Sequence, residues 1–166
     1  MAETPTGILS LPLTNLQTVI ANCASFQTWV DADTVEEAKA KIYVVAVDGD
    51  DFDRPFALIG QGDEWGSMVN AGGARNWFQD SGSLQLMFEA DIKEAYRDKS
   101  HYKDAELEFT NPIGAILKDM KTISALNTYL AITEFRKKAG PMRSDPDEKA
   151  TEGDYYQIVF DIMWGI

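Results

Sequence analysis

YYQIVFDIMW, residues 155–164, is the stretch whose reading decides the fold. Tyr156, Ile158, Phe160, Ile162 and Trp164 fall on one side of a two-residue alternation, and Gln157, Val159, Asp161 and Met163 fall on the other. One fully apolar face beside one mixed face predicts a strand packed on a core from one side only. Upstream, residues 129–135 predict a partner strand. A polar segment, 136–154, joins the two, with Gly140-Pro141 and Asp145-Pro146 as turn signals. Such a pair lies side by side and antiparallel, with 139–154 as a long loop between the last two strands.

The same reasoning extends toward the N-terminus. Leu84, Leu86, Phe88, Ala90 and Ile92 alternate with Gln85, Met87, Glu89 and Asp91, which predicts another one-sided strand. KIYVVAV (41–47) and PFALIG (55–60) are apolar runs either side of an acidic turn, 48–53, and predict a hairpin with a long loop. Thr14 and Gln17 have capping-box spacing ahead of a helical stripe of Leu16, Val19, Ile20 and Cys23. Ser25 restarts a turn that carries Phe26, Trp29 and Val30, and Thr34 with Glu37 caps a second short helix. Residues 104–126 predict the major helix, kinked at Pro112 or starting there with Asn111 as cap. Residues 1–12 read as an extended arm, and 61–82 as an irregular excursion with room for one short strand. The expected fold is a single α+β domain spanning 1–166, an antiparallel sheet of about four to five strands with helices packed on one face.

Composition narrows the function classes. A chain of 166 residues buries roughly 68–70% of its unfolded surface, so it needs no disulfide or metal staple. Cys23 is the sole cysteine, and its apolar neighbours predict a buried core thiol. Met1 to Leu13 lacks a basic leader, and no apolar run approaches the ~18 residues of a membrane span, so a soluble cytoplasmic chain is expected. The net charge of −12 opposes binding to DNA or anionic membrane through the surface as a whole.

No motif for catalysis, cofactor or metal emerges. His101 is the only histidine and adjoins Ser100, but a triad needs nucleophile, base and orienting acid converging in space, and adjacency supplies no such geometry. Lys99 and Lys103 flank it, as expected for a solvated surface histidine. One Cys and one His exclude a four-ligand N/S zinc set. Asp48, Asp50, Asp51 and Asp53 are dense, but a calcium loop counted from Asp48 places Phe52, Asp53 and Ile59 at positions that require a carboxyl, glycine and glutamate. Gly60-Gln61-Gly62 continues to Trp65 where the dinucleotide fingerprint has glycine, and no Walker lysine follows. Asn70-Ala71-Gly72-Gly73 reads as a turn. Glu89 falls on the polar side of its strand. The expectation is no enzyme, no cofactor and no metal.

Two features point instead to an assembly surface. Val159 and Met163 interrupt a face that should be polar, so that face is either a contact surface or covered by a further helix. The loop 139–154 exceeds what a hairpin needs. Arg136, Lys137, Lys138 and Arg143 cluster at its start, and Asp145, Asp147, Glu148, Glu152 and Asp154 at its end. Such a dipolar arm is expected to pair with the same arm of a neighbouring subunit. Like-charged subunits also repel within a Debye length of ~10 Å at 0.1 M salt, so assembly should rise as salt is added.

A family resemblance attaches to these same stretches. LTNLQTVIANCASFQTWV, the strands KIYVVAV and RPFALIG, the late pair YLAITEFRK and YYQIVFDIMWG, and the GPMRSD turn between them resemble, in element order, the small neck and tail-completion proteins of tailed phages and prophages. Among these, tail terminators are most similar to this layout. The resemblance implies a non-enzymatic virion structural protein of the bacteriophage tail or neck, a tail terminator or head-tail joining protein. It implies a homo-oligomeric ring, a hexamer by family habit, with tail-tube and head-completion proteins as partners. It also implies assembly in the bacterial host cytoplasm, without specific nucleic-acid or membrane binding. The rival expectations are a small acidic cytoplasmic binding module, of regulator or immunity type, and a hydrolase with a concealed site.

Overall fold

The computed structural model describes residues 10–44, 52–62, 67–70, 78–124 and 130–165. The elements are α1 (Leu11–Ala21), α2 (Ala24–Trp29), α3 (Val35–Ala40), β1 (Ile42–Val44), β2 (Phe56–Gln61), β3 (Ser67–Asn70), β4 (Phe78–Asp91), α4 (Tyr102–Ser124), β5 (Ala131–Arg143) and β6 (Tyr155–Gly165). The strands form one mostly antiparallel sheet in the order β1-β2-β4-β6-β5, with β3 added to β4 off that path. The fold is α+β, as the alternation in the last strand predicts.

The core follows from period two on the strands and period 3.6 on the helices. Leu84, Leu86 and Phe88 of β4 stand opposite Ile162, Phe160 and Ile158 of β6, and all six are buried. Ala57 and Ile59 of β2 continue that face. Against it α1 places Leu13, Leu16 and Ile20, α2 places Phe26, and α4 places Phe109, Ile113, Ile116 and Met120, all in one apolar cluster. The α4 residues recur three or four apart, so they share one helical stripe. Pro112 sits inside α4 rather than at its start, and the helix runs unbroken from Tyr102 to Ser124. Leu107, an apolar residue of the predicted helix, lies off this stripe and is exposed.

Local chemistry sets the helix ends. The Thr34 hydroxyl accepts from Glu37 N at 3.1 Å, and Glu37 Oε2 accepts in return from Asp33 N at 2.8 Å. A cap of this kind contributes about 1 kcal/mol. The corresponding expectation at Thr14 fails. Helix α1 begins three residues earlier, with Pro12 in its first turn, where a missing N–H costs nothing. Thr14 Oγ1 donates to Leu11 O and Gln17 Nε2 to Ile42 O, so neither residue caps. Leu11 and Pro12 therefore belong to the helix and not to an arm; residues 1–9 lie outside the described residues.

Two strand assignments change. β1 and β2 do not form a hairpin: they run parallel, with Ile42 opposite Ala57 and Val44 opposite Ile59. Ala57 N donates to Lys41 O at 3.0 Å. Eleven residues, 45–55, separate the two strands in sequence, close to the dozen or so that a parallel crossover needs. β5 does not stop at residue 135. It continues through Gly140 and Pro141 to Arg143, so the loop shrinks to 144–154. Glycine and proline are absorbed because β5 is an edge strand, where a missing N–H faces outward and bulges are tolerated. Its pairing with β6 slips between Ile132 and Glu134, between Lys137 and Ala139, and between Ala139 and Met142. Gly140 lies at φ 86°, and a Cβ there would meet Gln157 O at 2.5 Å. Among the described residues of the 61–82 stretch β3 is the one short strand, and β4 already begins at Phe78. The acidic residues of 48–51, Trp65 and the turn residues 71–73 lie outside the described residues.

Candidate assembly surface

Because side chains alternate across a pleated strand, the odd-numbered residues of β4 and β6 must lie on the face away from the core. Four strands contribute to one row on that face. Leu58 of β2 stands opposite Met87, Met87 opposite Val159, and Val159 opposite Ala139 of β5. All four are half-buried, and none belongs to the core cluster. Tyr43 of β1 extends the row beside Leu58. Its ring stacks on Phe52 at 3.9 Å, and both rings contact Phe56. Val159 thus lies in a continuous apolar row. Met163, also half-buried, lies further along β6, opposite Ser83 and Glu134.

A polar network lies on one side of this row. Arg54 Nε donates to Glu89 Oε1 at 2.7 Å, and Gln157 Nε2 donates to Glu89 Oε2 at 3.1 Å. Arg54 also reaches Asp91 at 3.3 Å, and its guanidinium lies 4.0 Å above the Tyr155 ring. Burial works against the guanidinium's charge. The hydrogen bond and attraction of Glu89, with Asp91 adding, outweigh it and hold Arg54 above its ordinary value. Glu89 is on the polar side of β4, as its place in the alternation predicts, yet it is buried at 6% exposure. Sequence reading does not find this network, because it depends on the register of three strands. On the other side of the row, Gln85 stands opposite Asp161 and Asp161 opposite Arg136.

The loop cations do not form one cluster. Arg136 pairs with Glu134 at 2.9 Å, and Lys138 Nζ lies 4.0 Å from Asp161 Oδ1. Lys137 is exposed. Arg143 is turned away: it stands opposite Tyr156 on the helix side, with its guanidinium 3.9 Å over the Tyr102 ring. Arg143 also donates to Glu148 O at 2.9 Å, and Tyr102 Oη donates to that same carbonyl at 2.9 Å. Asp145, Asp147 and Glu148 are exposed. The loop is closed by Asp154, whose carboxylate accepts from Thr151 N at 2.7 Å and from Ser144 Oγ at 2.9 Å. These bonds, that of Thr151 N first, hold the Asp154 carboxyl below its ordinary range. Ala150 is buried beneath the loop. The segment is tied to its own body, not extended as a dipolar arm.

The remaining candidates are placed as follows. Ser100 Oγ lies 3.3 Å from His101 Nδ1 in an exposed turn, while the Asp98 carboxylate accepts from Ser100 N. Cys23 is fully buried. Desolvation first, and the charge of Asp119 second, push its thiol up to about 12. Among the described residues no group of three or more Cys, His, Asp or Glu side chains is placed to hold a metal ion. No described helix is long and apolar enough to cross a membrane. No family model and no curated protein sequence matches the chain.

Proposed function

We propose that this chain is a non-enzymatic virion structural protein of a tailed phage or prophage, a tail terminator or head-tail joining protein whose subunits form a ring at the end of the tail tube. One observation carries the reading. An apolar row from Leu58 through Met87 and Val159 to Ala139 crosses four strands on the face that the core does not use. A continuous apolar strip on an exposed face marks a contact surface. The long edge strand β5 adjoins it, and repeated heterologous contacts through such surfaces close into a ring when the rotation permits.

Charge supports the same reading. A passage for DNA must not hold phosphate, and a subunit in which 27 acidic residues outnumber 15 basic ones, for a net charge of −12, repels it as a whole. The Ser100–His101 pair lends no support to a hydrolase, because the nearby Asp98 carboxylate is engaged by backbone and not by the imidazole. The test is electron microscopy and light scattering of the purified chain across concentration, alone and with a tail-tube protein. Annular particles, or capping of tube ends, are expected. Tight binding to DNA, or no association under any of these conditions, would contradict the proposal.

A further inference from the structure

The two edges of the sheet carry opposite charge. At the β5 edge, Arg136, Lys137 and Lys138 form the one run of three consecutive cations in the sequence, and Glu134 is the sole acid of that strand. All four are exposed. At the β1 edge, the turn before α3, α3 itself and the segment before β2 present Asp31, Asp33, Glu36 and Asp53, all exposed, with Lys39 of α3 the exposed cation beside them. Three acids, Asp31, Glu37 and Asp53, against one cation, Lys41, line an open depression of about 360 Å³ beside Tyr43. Four inter-strand gaps of ~4.8 Å put the edges roughly 19 Å apart, beyond the ~8 Å Debye length at 0.15 M salt, so each edge presents its own charge to a partner.

We infer that the basic β5 edge of one copy docks against the acidic β1 edge of a second copy, so that the contact is head-to-tail. This rests on the self-assembly proposed above and specifies which surfaces meet. The alternative in which two copies pair through the same edge is opposed, because β5 against β5 sets the cation run against itself. Direct strand addition is disfavoured at both edges. β5 is interrupted by register slips and Pro141, and the Ile42 carbonyl of β1 is already taken by Gln17. The contact is therefore made by side chains. Its charges bring the edges together, and the apolar row running between the edges is continued across the joint from Ala139 of one copy to Tyr43 of the next. A contact between unlike surfaces propagates, and closes only into rings.

The experiment uses the full chain in sedimentation velocity at ~0.15 M salt, where long-range repulsion between acidic subunits is screened. One variant reverses the basic edge (Lys137→Glu with Lys138→Glu), and the other reverses the acidic edge (Glu36→Lys with Asp53→Lys). Each alone should weaken self-association at least about tenfold, as losing close charge pairs at an interface does. An equimolar mixture should co-assemble, because each variant then offers its partner a complementary edge on both sides. Melting temperatures check the fold; where a reversal lowers them, Lys137→Gln with Lys138→Gln takes its place. Variants that associate like the wild type, or a mixture that does not co-assemble, would overturn the head-to-tail contact and leave self-assembly standing. A wild type that stays monomeric at every concentration would overturn both. A wild type that binds duplex DNA through Lys137 and Lys138 would assign the basic edge to another occupant and overturn the inference.

Discussion

Arg54 and Glu89 form a partly buried ion pair at 2.7 Å that joins the segment before β2 to the C-terminal end of β4, and Gln157 of β6 takes the second oxygen of the same carboxylate. The pair fixes register. A shift of β4 by one residue would carry Glu89 to the core face and Phe88 to the outer one. Replacing Arg54 with Ala leaves the Glu89 carboxylate buried with one neutral partner, and the expected loss is about 1–3 kcal/mol in urea unfolding. Arg54→Leu combined with Glu89→Leu should recover most of it, because no charge is then left buried. A double variant as unstable as Arg54→Ala would show that the pair supplies stability and not only register.

Gly140 is the one residue of β5 at positive φ with backbone packed against it. Gly140→Ala forces a Cβ into a left-handed conformation and toward Gln157 O, so it should lower stability by more than about 1 kcal/mol. The Gly153→Ala change also meets a positive φ but nothing within 4 Å, so thermal melting should rank it as the milder of the two.

Asp154 makes the loop pH-sensitive in a defined direction. Its folded carboxyl is held below the ordinary value of 3.8 by Thr151 N, then by Ser144 Oγ. A depressed pKa means that its contribution is complete above the unfolded value and is lost as pH falls through the folded one. The Thr151 amide resonance should therefore titrate with a midpoint below 3.8, and Asp154→Asn should remove that titration. A midpoint at or above the ordinary value would mean that the loop opens before the carboxyl is protonated.

Cys23 should behave as a core side chain. Its thiol is buried and pushed up to about 12, and only the thiolate is nucleophilic. Labelling by an aromatic disulfide reagent at neutral pH should proceed only in denaturant. Rapid labelling of the native chain would place the thiol in a surface that opens.

The parts of this fold that the sequence discloses are those with one buried face. β6 and the second half of β4 alternate cleanly because Ile158, Phe160 and Ile162 meet Phe88, Leu86 and Leu84 across one pair of strands. α3 was legible because Thr34 and Glu37 carry their own signal. Strand direction was not, since KIYVVAV reads the same whether its neighbour is parallel or antiparallel. The extent of β5 was hidden by Gly140 and Pro141, which mark a turn in most settings and here sit in a bulged edge. For the candidate surface, Val159 and Met163 stood out as apolar residues on a mixed face. Leu58 and Ala139 did not, because what joins them to Val159 is register. Arg143 groups with its neighbours in sequence but stands opposite Tyr156 on the helix side, over Tyr102.

The apolar row is the core of the functional account, and Val159 lies in its middle. Val159→Lys sets a charge on the outer face without opening a cavity in the core, so urea stability should change by less than about 1 kcal/mol. The decisive measurement is sedimentation velocity of wild type and Val159→Lys side by side over a hundredfold range of concentration. The account predicts closed oligomers for the wild type and a folded chain with weakened association for the variant. A variant that assembles as the wild type does, or a wild type that remains a monomer throughout, would contradict it.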